Sequence, residues 1–432
     1  MPIAARSLMA HVEKLCQLAP RLTGTPSELA AAEYVAGRLA KLGAEVTWQW
    51  FPISKWQCRA VAVKIRRGRG WMDLPALPIG HTPSTKGVVE GELAVVEYLT
   101  PDNPVLRRSR GKVVLVLGMW GEDPADLEAL AKARPAAALF LDDRFPSAEL
   151  VQDGLPMGWV DKLRVPSVTI PYLEGWELAR APARVRVSID CVVEPGEAMN
   201  VIGRLPGSQP GAAGVLLGAH HDSVAIGQSA DDDATGLACL LEIASELAGL
   251  QRRRDLWLVS FGCEEHLSVG AEAFVRDETR GAARLATMIN FDSVGSLLGH
   301  TVAWVTGPPR MEQWVRQEIG KLGEQVSVGP DVSPYSDHFF FTAAGVPAVW
   351  FYRTNCHAGR WYHHQITDSL EVVGPEAVAS VARAGLALAR GLVQAERLPY
   401  ARKLAPAQIE HVRRLEQAMA NWPPTVGGTQ RG

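Results

Sequence analysis

GAHHDSVAIGQSADDDATG, Gly218 to Gly236, sets His220 and His221 side by side and places three consecutive aspartates eleven to thirteen residues after the first of them. Aspartate is a poor former of helix interiors and strands. Adjacent carboxylates also repel one another, so the run calls for a positive partner. The stretch is preceded by an apolar run of strand length, GVLLGA (214–219), and followed by a helical one, GLACLLEIASELAGL (236–250). The pattern then recurs. DLWLVSFG (255–262) ends at Glu264 and Glu265, ATMINF (286–291) ends at Asp292, and the loop after VPAVWFY (346–352) carries His363 and His364. Continuous apolar strands separated by helical stretches predict an α/β fold: a mixed, mostly parallel central sheet with helices on both faces.

Ligands of such sheets bind beyond the carboxyl ends of the strands. Here three successive strands each deliver an acidic or imidazole group to that edge. Any one of them reads equally well as a helix-capping aspartate or a surface glutamate; their convergence is what signals a site. Mixed imidazole and carboxylate donors with no thiolate pair suit zinc, with cobalt or manganese as possible substitutes. Five such groups exceed one tetrahedral ion and suit two ions sharing a carboxylate.

Bulk properties restrict the partners. The chain has 432 residues, long enough for two or three domains or one domain with an insertion, and its 47% hydrophobic and 21% charged residues are ordinary for a globular protein. A formal net charge of −3 speaks against a nucleic-acid or anionic-membrane surface, and RRR at 252–254 reads as a polar turn between a helix and a strand. MPIAARSLMAHVEKLCQ reads as an amphipathic helix, not a signal peptide, and no window is long and apolar enough for a membrane span. The cysteines (16, 58, 191, 239, 263, 356) are scattered, which fits a reduced compartment and a cytoplasmic location.

TPSELAAAEYVAGRLAKLG (25–43) carries a capping box, with Thr25 as cap, Pro26 at the first helical position and Glu28 three residues after the cap; Gly43 closes the helix. AEVTWQWF (44–51) alternates as a strand. From 54 to 193 the texture changes to short strands in Gly-, Pro- and Trp-rich loops, among them KVVLVLG (112–118), AAALFLD (136–142) and ARVRVSI (183–189), with PADLEALAKA (124–133) as a helix. This reads as a small β-rich inserted domain dividing a catalytic domain made of 1–53 and 194–432. Its histidine His81 falls in a loop and is expected at the surface. No candidate ligand lies within 54–193, so the insertion is expected to be dispensable for metal binding. In the helical tail (400–432), Ile409, Val412, Leu415, Met419 and Trp422 form a stripe that either packs back or joins a neighbouring subunit, the route by which an oligomer would form.

GAHHDSV, SADDDATG, SFGCEEHLSVGAEAF, NFDSVGS, SDHFFFTAAGVPA and YHHQITDSLE resemble, in order, the motifs of the di-zinc aminopeptidase family, which also contains glutamate carboxypeptidases and glutaminyl cyclases. Residues 54–193 are similar, more weakly, to its protease-associated domain. The resemblance implies a site with two zinc ions. His220 and Asp292 would hold one ion, Glu265 and His364 the other, and Asp232 would bridge them. Asp222 would support His220, and Glu264 would be the general base. The departures are the two aspartates flanking Asp232 and His363, which stands where many members have tyrosine. His363 could stabilise an oxyanion or face solvent. His221, His266, Asp337 and His338 are set aside from the chemistry. Arg353 and Arg360 are read as loop arginines, with a role in gripping a substrate carboxylate as the alternative.

The expected function is a metal-dependent exopeptidase, first of all an aminopeptidase, that hydrolyses N-terminal residues of peptides or aminoacyl amides with a di-zinc-activated water and Glu264 as base. The alternatives are a carboxypeptidase or glutaminyl cyclase-like enzyme on the same site and, from another class, a non-catalytic binding protein on the same fold.

Overall fold

The computed structural model describes residues 3–118, 124–181, 183–277, 281 and 284–419. The chain divides into two compact units, one formed by Met1–Pro52, Glu197–His363 and Thr367–Gln417, the other by Ile53–Gly196 together with His364–Ile366.

The chain opens with helix α1 (Ala5–Cys16), which turns Leu8, His11, Val12, Leu15 and Cys16 to the interior. In α2 (Pro26–Lys41) the Thr25 hydroxyl accepts from the Glu28 N–H at 3.4 Å, while the Glu28 carboxylate takes the N–H of Gly24 at 2.6 Å. The box therefore closes one residue ahead of the cap. Gly43, at φ +78°, carries the chain out of the helix into β1 (Glu45–Arg67).

In the second unit follow β2 (Gly70–Leu74), β3 (Leu77–Pro78), β4 (Val89–Val96), α3 (Pro104–Arg107), β5 (Val113–Leu117), α4 (Pro124–Ala133), β6 (Ala137–Leu141), β7 (Ser167–Ile170), α5 (Tyr172–Ala179) and the first part of β8 (Arg184–Leu205), whose residues from Glu197 onward belong to the first unit. Strands β4, β5, β6 and β7 lie parallel in that order. Their side chains alternate between two cores: Val114, Val116 and Phe140 enter one, Leu115, Leu139 and Leu141 the other. The unit is thus rich in strands, but its centre is a parallel layer apolar on both faces, because KVVLVLG and AAALFLD are too uniformly apolar to leave one face to water. His81 departs from expectation. It is buried at φ +66°, with Nε2 2.6 Å from the Ser54 carbonyl oxygen, since a loop that closes over strands must satisfy its polar groups internally.

Back in the first unit come β9 (Gly214–His220), α6 (Gly236–Ala248), β10 (Leu256–Phe261), α7 (Val269–Arg276), β11 (Leu285–Phe291), β12 (His300–Thr306), α8 (Pro309–Gly320), β13 (Val326–Pro330), α9 (His338–Ala343), β14 (Ala348–Thr354), α10 (Pro375–Gln394) and α11 (Pro406–Met419). The sheet order is β13-β12-β14-β11-β9-β10-β8. β14, β11, β9 and β10 are mutually parallel, whereas β12 runs antiparallel to β14 and β8 antiparallel to β10. The sheet is mixed and mostly parallel. Residues of α1, α2, α6, α8 and α10 form the main core. Phe261, Phe274 and Phe341 form a second core with α7 and α9, with ring centroids 5.5–6.3 Å apart.

β9 is the strand that positions the site. The chain leaves it for β10 on one side and then reaches β11 on the other, so the connections diverge and open a crevice at its carboxyl end. Elsewhere, Arg252 of the RRR turn donates to the carbonyls of Leu247, Ala248 and Leu250, closing α6. Of the tail stripe, Ile409, Val412 and Leu415 pack on Phe339, Phe340 and Leu404 of their own chain. Trp422 and the side chain of Met419 lie outside the described residues. Among the described residues no helix is long and apolar enough to cross a membrane.

Candidate metal centre

His220 is the last residue of β9 and is fully withdrawn from solvent. Its Nδ1 lies 3.2 Å from the Asp222 carbonyl oxygen and 3.6 Å from the Asp222 carboxylate, while Nε2 lies 3.1 Å from Asp232 Oδ1 and 4.0 Å from Asp292 Oδ1. Burial disfavours an imidazolium here. The bonds to Asp222 and Asp232 outweigh it and drive His220 well above the usual imidazole range. A buried histidine crowded by carboxylates in this way marks a pocket that wants a cation. His220, Asp232 and Asp292 each bring a ligand atom within 4.8 Å of the others. A borderline-hard divalent ion fits this donor set, and fixing Nδ1 from behind turns the Nε2 lone pair toward it.

His221, the next residue, points away. Its Nδ1 lies 2.8 Å from the Ser260 hydroxyl, and burial takes it down to about 4. The alternation of an extended chain thus separates the two adjacent histidines.

The aspartate run divides its labour in the same manner. The Asp233 carboxylate accepts the backbone N–H groups of His220, Gly236 and Ser293. Gly236 is obligatory at the contact, because a Cβ there would lie 2.4 Å from both Asp233 Oδ1 and the Phe291 carbonyl oxygen. The Asp231 carboxylate accepts from Gly295 N–H at 2.6 Å and the Tyr362 hydroxyl at 2.8 Å. Of the three, Asp232 alone is in the cluster with His220 and Asp292. The backbone N–H groups of Asp231 and Asp232 are in turn held by Asp368, at 2.8 and 3.1 Å. Burial, with the charge of Asp231 added, pushes Asp368 up to about 8.

Asp222 is buried and supports three neighbours, taking the N–H groups of Glu264 (3.0 Å) and Glu265 (3.2 Å) and the Thr23 hydroxyl (3.0 Å). Burial raises it, but the His220 imidazole and the Glu264 N–H outweigh this and leave it lowered, at about 2. The tandem glutamates diverge. Glu264 Oε1 takes the Ser268 hydroxyl at 3.0 Å, and Glu265 Oε1 takes the Val224 N–H at 3.1 Å. Burial, and then the carboxylates of Asp292, Asp337 and Glu265 against the opposing His220, hold Glu264 well above the ordinary carboxylate range. Asp292, which follows β11, receives the hydroxyls of Ser293 and Ser336. Non-glycine residues at positive φ punctuate these loops: Ser229 at +46°, Cys263 at +59° and Ser293 at +55°. Such backbone is costly and persists where packing over-determines it.

Arg360 does lie in the loop after β14, but it is buried there against the candidate site and not turned to solvent. It is 5% exposed, with Nη2 2.9 Å from Asp232 Oδ2 and 2.6 Å from His363 Nδ1 and its guanidinium 5.1 Å from the centre of the Tyr352 ring. His363 is half-buried, its Nδ1 3.3 Å from Asp232 Oδ2. Arg353 is structural, donating to the Ser296 carbonyl and, at 2.6 Å, to the Thr301 hydroxyl. His338 is a core residue stacked 4.9 Å from Trp350 and lowered by burial to about 3.

His364 falls in the second unit. At φ +54° its Nδ1 lies 2.7 Å from Asp153 Oδ1, and its carbonyl accepts the Gln152 N–H at 2.8 Å. Arg144 ties the other Asp153 oxygen (2.6 Å) to Asp142. The partner of the His364 ring thus comes from within 54–193, the segment in which no candidate ligand falls. Asp153 and Asp368 do not figure among the residues singled out from the sequence, and Arg360 figures there only as a loop residue or a grip for a substrate carboxylate. Asp368 could have been found, four residues after His364 in the same motif. Asp153 carries no local signal.

The fold is that of the α/β zinc exopeptidases. A solved zinc aminopeptidase from Bacillus subtilis superimposes with a TM-score of 0.76 at 19% identity, over 94% of this chain and 99% of that one. Residues 200–389 match the family described as "Peptidase family M28". A probable lipoprotein aminopeptidase, LpqL of Mycobacterium tuberculosis, is 26% identical over 306 residues, covering 68% of this chain and 60% of that protein. Carboxypeptidase Q of Xenopus laevis is 22% identical over 308 residues, 66% of this chain and 64% of that protein. The chain thus spans less than two thirds of the length of either curated relative.

Proposed function

We propose that the chain is a zinc-dependent exopeptidase acting as an aminopeptidase. The observation that carries the proposal is the convergence of His220, Asp232 and Asp292 within 4.8 Å at the carboxyl edge of parallel strands, with Glu264 on the loop after the neighbouring strand. In this reading His220 and Asp292 would hold one ion and Glu265 and His364 the second, with Asp232 shared between them. Bound there, the ions supply a Lewis acid for the scissile carbonyl and lower the pKa of water at neutral pH.

The chain's own groups do the rest. Glu264 takes the proton of the attacking water and returns it to the leaving amine, a role suited to a carboxyl held above its ordinary range. Asp222 fixes the His220 ring through Nδ1. Arginine only donates hydrogen bonds, so His363 Nδ1 accepts from Arg360. The ring proton of His363 then resides on Nε2, the donor proposed for the developing oxyanion.

Aminoacyl and N-acyl amides, assayed with zinc added and after chelation, test the proposal. Zinc-dependent hydrolysis of substrates with a free amino terminus is the expected result. Cleavage confined to substrates with a free carboxyl terminus indicates a carboxypeptidase, cyclisation of N-terminal glutamine without hydrolysis a cyclase, and zinc uptake with no turnover of any amide a binding protein.

A further inference from the structure

A carboxylate that bridges two cations offers one oxygen to each. The two oxygens of Asp232 do not meet the same surroundings. Oδ1 lies 3.1 Å from His220 Nε2, within the donor cluster completed by Asp292. Oδ2 lies 2.9 Å from Arg360 Nη2 and 3.3 Å from His363 Nδ1. A guanidinium does not shed its proton, so Arg360 is a permanent cation on the outer oxygen. It is also confined. The side chain is 6% exposed, with Asp231 Oδ2 3.9 Å from its Nε and the Tyr352 ring against its plane.

We infer that Arg360 is a positioning residue that makes the two metal sites unequal, so that the ion on the Oδ1 side binds first and tightly, and the ion on the Oδ2 side binds later and weakly. The inference rests on the two-ion reading above and deepens it. An incoming ion on the Oδ2 side meets a like charge already paired with its carboxylate, and must share that oxygen with a charge-assisted hydrogen bond. On the Oδ1 side the group facing the carboxylate is the His220 Nε2, and an imidazole gives up its proton to an incoming ion whereas a guanidinium does not. The same contact keeps the Asp232 carboxylate aimed when one ion alone is present, so the device sets the occupancy of the second position by zinc supply.

Zinc titration of the metal-free, full-length protein against a competing chelator reads this directly. The expected wild-type result is two steps with dissociation constants at least about tenfold apart. In Arg360→Gln the gap narrows by about tenfold, toward a single step, because the like charge that opposes the second ion is gone, and Arg360→Lys, which keeps the charge, retains the gap. Two zinc ions of equal affinity in the wild type overturn the inference and leave the functional reading standing. A gap of unchanged size in folded Arg360→Gln does the same. If that variant does not fold, the wild-type and Arg360→Lys titrations still decide, because neither is compatible with a single step. A wild type that takes up no zinc overturns both.

Discussion

Replacing Asp153 by asparagine separates the carboxylate of the second unit from the histidine it holds. Asp153 is 4% exposed, and each of its oxygens has its own donor: Oδ1 the ring Nδ1 of His364 at 2.7 Å, Oδ2 the Arg144 guanidinium at 2.6 Å. An asparagine keeps one acceptor oxygen for two donors, so its amide N–H₂ must face either His364 or Arg144. The bond that survives is neutral on the acceptor side and roughly half as strong. Arg144 is 43% exposed and retains Asp142 at 2.6 Å, so the fold should lose little, on the order of 1 kcal/mol. The consequence falls on His364. If it ligates, losing its outer partner should weaken one zinc by about 10–100-fold, roughly 1.4–2.7 kcal/mol, with Asp153→Asn near the lower figure and Asp153→Ala near the upper. Chelator competition should show one ion weakened and the other unchanged, with near-normal thermal unfolding of the metal-free protein. Unaltered affinity at both sites in a folded Asp153→Ala would refute the reasoning, and equal weakening of both would show that the effect runs through the fold and not through His364.

Glu264→Gln should keep both ions and lower kcat by about 10²–10⁴-fold, because glutamine matches the size of glutamate but takes no proton; metal analysis alongside steady-state kinetics checks both halves, and a parental rate would discard the mechanism. Asp232→Asn should strip metal. Asp233→Asn should instead lower the melting temperature, since a carboxylate accepting three buried backbone N–H groups is replaced by a side chain with one acceptor atom, at about 1–3 kcal/mol for each donor left unpaired. Metal loss from Asp233→Asn with Asp232→Asn unaffected would shift the assignment by one residue. Asp368→Ala should release the N–H groups of Asp231 and Asp232 and reduce zinc affinity without touching either ion's ligands, measurable in the same chelator competition.

The strands and helices around the site were legible because their signals are local. Mostly apolar runs of strand length at 214–219, 255–262 and 286–291, set between helical stretches, read as strands covered on both faces, and each stops one or two residues before a histidine or carboxylate. Thr25-Pro26 and Gly43 mark their helix without help from the rest of the chain. β12 and β13 are absent from the sequence reading: β12 (HTVAWVT) is as long as β9 and mostly buried but opens and closes on polar residues, whereas β13 (VSVGP) is short, partly exposed and ends at a proline. His221 and His220, or Asp231 and Asp232, are indistinguishable as residue types. What separates them is which way each side chain points, and that depends on the register of an extended segment against Phe261, Ser260 and the backbone of β11.

Distance along the chain hid the rest. Asp153 and His364 are 211 residues apart, and Arg360 and Asp232 are 128 apart. No periodicity or cap links such pairs, because a hydrogen bond between loops leaves no pattern in either loop. Sequence alone therefore determined the α/β class, the edge where polar groups gather and the kind of cation they suit, all consequences of local apolar patterning and donor chemistry. Tertiary structure alone decided which aspartate enters the cluster, which carboxylate stands behind His364 and that a buried guanidinium caps the outer oxygen of Asp232, since those facts arise only when the folded chain brings separate loops within hydrogen-bonding distance.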